Sequence, residues 1–118
     1  MTEYHGNDFY CDIAVPKKVN LRIEYEDEQV LAYHHTKPFW PLHIVIVPKK
    51  HIASFTDRGP GDDHIVAEVL RVVSEIARKV ELEMGACRIL TNLGRYQDSK
   101  HLHFHVASGE PLDKSKRW

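Results

Sequence analysis

The 118 residues include only two cysteines, Cys11 and Cys87, too few to staple a secreted fold with disulfides. Neither sign of charge is in excess: 16 Lys+Arg against 17 Asp+Glu leave a net charge of −1. A protein that coats nucleic acid needs a basic surface, so the balance argues against DNA as a partner. No apolar run approaches the roughly 20 residues that span a bilayer, and residues 1–8 hold no hydrophobic leader. Internal repeats and low-complexity tracts are also missing. These absences lead to the expectation of one reduced, cytoplasmic domain that makes no membrane contact. Against this ordinary background nine histidines are many, and three of them stand at alternate positions near the C-terminus.

Residues 21–26 and 29–35 alternate as strands do, with Glu26-Asp27-Glu28 as the turn between them. The prolines of Thr36–Pro41 mark a loop. Residues 42–47 are apolar and β-branched, which suits a central strand buried on both faces, and Pro48 ends it. Ile65, Val66, Val69, Val72, Val73, Ile76 and Val80 recur at helical spacing, so residues 62–84 read as one long helix. Asp62 or Asp63 can cap its start, and Gly85 suits the left-handed position after its end. Residues 87–92 and 101–107 read as strands around a polar loop, 93–100, and residues 108–118 read as a flexible tail. This order implies an α+β fold with a mainly antiparallel sheet.

In His101-Leu102-His103-Phe104-His105, a period of two puts three imidazoles on one sheet face and the apolar residues on the other. Next-but-one residues on a strand lie about 7 Å apart. Three rings that close form one patch, able to share a metal or a reacting group. The loop Asn92–Lys100 leads into that patch. Gly94 permits close approach of a ligand, Asn92, Gln97 and Ser99 offer neutral hydrogen bonds, and Arg95 and Lys100 bring positive charge. Together they suggest a phosphate cradle.

The run His101–Ala107 resembles the signature of the histidine triad (HIT) family. Tyr25-Glu26-Asp27, Leu31-Ala32-Tyr33, Pro38, Pro41, His43, Ile44–Val47, Pro48-Lys49-Lys50-His51 and Asn92 also fall where that family has them. The match covers about residues 8–107, within a single domain of 1–118. The resemblance implies a five-stranded sheet with one long helix and a short N-terminal helix or turn. It implies a nucleotide hydrolase or transferase, similar to the nucleoside phosphoramidase branch, that acts at the α-phosphate through a nucleotidyl-histidine intermediate. By position the nucleophile is His103, a neutral imidazole being competent near pH 7. His105 and His43 would orient it and handle the leaving-group proton, with His101 completing the triad, and an adjacent protonated imidazole would stabilise developing charge. Asn92 and Gln97 would contact phosphate, and no catalytic metal is required. Dinucleoside polyphosphate hydrolysis and a catalytically weak nucleotide- or zinc-binding module are the alternatives. A metallohydrolase using the triad as ligands is a weaker reading.

Two positions depart from the family pattern. His35 stands where the nucleoside-binding branch commonly has an acidic residue that accepts the ribose hydroxyls. Asp98 stands where that branch usually has Ser, and a carboxylate beside a phosphate is unfavourable unless it points away or is protonated. Bacterial relatives place a structural zinc on positions that correspond to Asp8, Cys11, His51 and His101, with His5 as a spare ligand; oxygen from Asp8 can serve. Alternatively, Cys11 is a small buried hydrophobe and His51 a surface residue. Cys87 reads as core, His64 as exposed, His34 as facing away from the site, and Trp40 as either a packing aromatic or a base-stacking one. The resemblance implies a homodimer through the helix and the strand near it, with the tail and Trp118 approaching the partner's site.

Overall fold

The computed structural model describes residues 8–115. A short π-type turn, Tyr10–Ala14, precedes β1 (Ile23–Glu26), β2 (Val30–His34), β3 (Leu42–Pro48), α1 (Asp63–Met84), β4 (Arg88–Leu90) and β5 (Phe104–Ser108). The strands form one sheet in the order β1-β2-β3-β5-β4, and every pairing is antiparallel. This is the α+β architecture expected.

The alternation of side chains sorts the molecule into two faces. Val30 and Ala32 of β2, Ile44 and Ile46 of β3, and Phe104 and Val106 of β5 turn one way, onto the seven buried apolar residues of α1. Leu31 and Tyr33 of β2, with Val45 and Val47 of β3, turn the other way and are covered by Tyr10 and Ala14. That second face also receives His43, His103 and His105. His34 points to the helix side, where Glu24 binds it at 3.1 Å and Lys79 of α1 binds the other oxygen of Glu24 at 3.0 Å.

Helix α1 ends at Gly85, whose φ of 79° is the left-handed cap the sequence called for. Its start differs from expectation. Asp62 does not cap the helix with its side chain. Its two oxygens instead accept the Gly59 N–H at 3.0 Å and Lys50 Nζ at 2.5 Å, which ties the preceding loop to the segment after β3.

The last two strands are shorter than the patterns 87–92 and 101–107. Pro48 has no N–H with which to continue the ladder beyond the Ile46–Phe104 pair. The chain before Phe104 therefore leaves β3, and the Leu102 N–H finds the Ile52 carbonyl at 2.6 Å. With β5 starting late, β4 runs out of partners after Leu90.

The segment after Ser108, expected to be loose, is seated as far as Leu112. Gly109 turns it back at a φ of 96°, Arg88 Nη1 donates to the Gly109 carbonyl at 2.8 Å, and the Leu112 N–H donates to the Phe39 carbonyl at 2.9 Å. His5 and Trp118 lie outside the described residues.

Candidate active site

A cleft of about 510 Å³ opens on the sheet face opposite α1, a size suited to a small organic ligand. His103 and His105 form its floor, and Tyr10, the His35–Phe39 loop and the Tyr96–Ser99 loop wall it. Asn92 and Ser99, both expected at a phosphate, line it. Gln97 and Gly94 do not. Gln97 is buried and donates from Nε2 to the Ala53 carbonyl at 2.8 Å, bracing the loop from behind. Gly94 opens a 3₁₀ turn, Gly94–Tyr96, at a φ of 63°. Lys100 also turns away from a ligand, donating to the carbonyls of Gly94 at 3.0 Å and Gln97 at 2.8 Å. The polar loop is thus held by its own side chains, and half of the expected cradle is scaffold.

Hydrogen bonds to the backbone fix the imidazole tautomers, because a carbonyl only accepts and an N–H only donates. The Phe39 N–H donates to His43 Nδ1 at 2.9 Å. The proton of neutral His43 therefore sits on Nε2, which donates to His105 Nδ1 at 2.7 Å, and that of His105 sits on its own Nε2. His103 is oriented in the opposite sense. Its Nδ1–H donates to the His101 carbonyl at 2.8 Å, which leaves the lone pair on Nε2. The rings of His103 and His105 meet edge to face at 5.0 Å.

Burial keeps this cluster neutral. It lowers the His103 pKa below the ordinary 6.5, although the bond to His101 opposes it. Burial and then the neighbouring imidazoles push His43 down to about 3 and His105 further still. The adjacent protonated imidazole expected from the sequence is therefore absent at neutral pH. What the pair supplies is one fixed donor, the Nε2–H of His105, which His43 orients from behind.

His35 lies against His43 at 4.5 Å with the rings tilted by 30°, and desolvation holds its pKa near 4. Its Nδ1 accepts the Lys37 N–H at 2.9 Å, so it offers a donor, Nε2–H, where an acidic residue would offer acceptors. The ligand atoms of His35, His43 and His105 lie close enough to hold a metal. Their tautomers argue against one, since His35 and His43 both have Nδ1 committed as an acceptor and carry the proton on Nε2. Trp40 is buried behind His43, 5.0 Å from its ring, with Arg88 over it at 5.0 Å. It packs the histidine-bearing face and is not among the residues lining the cleft.

His101 does not share the cleft. It is fully buried in a second cluster with Asp8, Cys11 and His51, whose ligand atoms all lie within 4.8 Å of one another. The patch of three rings expected from alternation is thus divided, because the chain leaves the strand before His103. His101 Nε2–H donates to the Pro48 carbonyl at 2.7 Å. Its Nδ1 lone pair consequently faces Cys11 Sγ and Asp8 Oδ2, each at 3.2 Å. A lone pair oriented by a carbonyl on the far nitrogen is the arrangement of a metal-ligating histidine. One sulfur, one oxygen and two nitrogens fit a tetrahedral Zn²⁺.

Sequence reasoning missed Tyr10 and Phe39. The Tyr10 ring packs 4.8 Å from His103 and 5.6 Å from His101, joining the two clusters. Its place beside Cys11 was the one available signal. Phe39 acts through its backbone, which no side-chain pattern reveals.

A family model described as HIT domain matches residues 17–112. An uncharacterized HIT-like protein of Buchnera aphidicola is 30% identical over 95 residues, covering 79% of this chain and 85% of the relative. A HIT family hydrolase from Legionella pneumophila superposes with a TM-score of 0.75 at 28% identity, covering 91% of this chain and 96% of its own. A Zn-bound histidine triad family protein from Mycobacterium smegmatis superposes at 0.74 with 29% identity, covering 92% and 79%.

Proposed function

This chain belongs to the HIT domain family, and from that premise we propose that it hydrolyses, or transfers the nucleotidyl group of, a nucleoside phosphoramidate-like substrate through a covalent nucleotidyl-His103 intermediate. One observation carries the reading. The bond from His103 Nδ1–H to the His101 carbonyl leaves an unprotonated Nε2 at the floor of a nucleotide-sized cleft.

In the first step the Nε2 lone pair attacks the α-phosphorus. The N–P bond forms, the bond from phosphorus to the leaving amine breaks with its electron pair, and the amine takes a proton from solvent. The positive charge that His103 gains is held at Nδ1–H by the His101 carbonyl. The ladder Phe39–His43–His105 ends in one fixed donor, the His105 Nε2–H, which is aimed at the phosphoryl oxygens and needs no reorganisation as charge develops. In the second step water attacks phosphorus and releases its proton, and the electron pair of the N–P bond returns to Nε2. Asn92 and Ser99 supply further hydrogen bonds to the phosphate. The HIT family hydrolase from Legionella pneumophila supports the reaction class.

Purified protein should turn over adenosine or guanosine phosphoramidate equally well with and without chelator, and His103→Asn should abolish turnover while the variant stays folded. Retained turnover in that variant refutes the nucleophile.

Asp8, Cys11, His51 and His101 would hold a structural Zn²⁺, as a Zn-bound relative suggests. Bound metal would clamp the Tyr10 segment onto His101 and steady the carbonyl that orients His103. Protein purified without a histidine tag should carry about one zinc per chain, lost in Cys11→Ser. A metal-free protein that also fails to take up added zinc contradicts the site. The exposed Leu70 and Ile89 on α1 and β4 form an apolar face suited to a homodimer.

A further inference from the structure

The charges of the cleft are not distributed as a phosphate site alone would require. The loop after β2 contributes Lys37 and the His35 imidazole N–H, which suit an anion. The loop before His101 contributes a carboxylate, Asp98, to the same cleft. That carboxylate lines the cleft together with His35, His103 and Tyr10, which places it beside the reacting centre. It has no hydrogen bond or ion pair to any other described residue. The cations nearest in sequence do not neutralise it. Lys100 is committed to the carbonyls of Gly94 and Gln97, and Arg95 lies over the Tyr96 ring at 5.4 Å.

A carboxylate beside the bound phosphate opposes an anionic substrate, unless the substrate brings a positive charge of its own. Phe9, Tyr10, Phe39 and Leu112 form the apolar part of the cleft, which suits the faces of a base. Asp98 is exposed at the rim, which leaves it to face the group that departs into solvent.

We propose that Asp98 selects a cationic leaving group: the substrate is a nucleotide joined through phosphorus to an amine that carries a second, protonated nitrogen, such as a diamine. This rests on the reaction assigned above. The P–N bond breaks as already described, and Asp98 pairs with the remote ammonium without taking part in that step. Asp98 is a specificity residue.

The test compares adenosine 5′-phosphoramidates of n-butylamine and of 1,3-diaminopropane, which differ by a methyl in place of an ammonium. At low ionic strength the wild type should favour the cationic substrate about fivefold in kcat/KM, the size of one solvent-screened ion pair. The preference should shrink with added salt. In Asp98→Asn the ratio should fall to about one. Equal ratios in the two proteins, or a wild-type preference for n-butylamine, overturn the proposal. Binding of both conjugates to His103→Asn, with and without Asp98→Asn, separates the two claims. If no protein turns over either compound, the reaction is wrong, yet tighter binding of the cationic conjugate that depends on Asp98 still supports the selection. Equal binding overturns it.

Discussion

Lowering the pH from 7.5 to 5.0 should remove about 6 kcal/mol of the stability of this protein before its carboxylates titrate. His35 is half-buried and His43 buried, both neutral with pKa values near 4 and 3, and His105 lies lower still. In the unfolded chain all three return to about 6.5. Below that value the unfolded state binds protons that the native state refuses, so stability is complete above pH 6.5 and is lost as the pH falls. At pH 5.0 each ring costs about 2 kcal/mol, and the three together about 6 kcal/mol. Domains of this size are commonly stable by about 5–15 kcal/mol. Asp8, Glu24 and Asp27 have lowered pKa values, so their contribution is lost only below about pH 4. Urea unfolding in the presence of chelator reads the effect directly. The midpoint should drop steeply between pH 6.5 and 5.0 with an unchanged m-value, and His35→Gln should remove about a third of the slope. A free energy at pH 5.0 within about 1 kcal/mol of that at pH 7.5 refutes the buried, neutral cluster.

Gly109→Ala should destabilise the fold, because a Cβ there would lie 2.8 Å from Pro41 Cγ and 2.9 Å from Cδ. With φ at 96° the cost is about 1–3 kcal/mol, and an unchanged melting temperature would contradict the seating of the C-terminal segment. Gln97→Leu should cost about 1–2 kcal/mol by removing the bond to Ala53 while leaving KM unaltered; a raised KM would return Gln97 to the phosphate site. Light scattering should find the wild type dimeric and Ile89→Arg monomeric, whereas a monomeric wild type removes the dimer.

The parts of this molecule legible in the sequence are those set by a period. Alternation in Leu42–Pro48 and in His103–Ser108 fixed which side chains meet α1 and which face the cleft, since a pleated strand allows no other arrangement. The helix showed itself in the spacing of Ile65 through Val80. What escaped were positions set by bonds between distant segments. His101 lies apart from the other two rings because the chain leaves β3 before Phe104, and its Nε2 then bonds the Pro48 carbonyl, 53 residues away. Gln97 left the cradle because it reaches Ala53, 44 residues away. Tyr10 entered the site through a short π-type turn that carries no periodic signal. The tautomers of His43 and His103 depend on single backbone groups, Phe39 N–H and the His101 carbonyl, which no composition or motif encodes.

The central claim is that His103 Nε2 becomes covalently nucleotidylated. Wild-type protein should be mixed with adenosine phosphoramidate, denatured at neutral pH within the first turnovers, and measured by intact mass and peptide mapping. The account predicts one adenylyl group on the peptide containing His103, appearing before product release and missing from His103→Asn. Turnover that proceeds with no adduct on that peptide, or with the adduct on another residue, contradicts it.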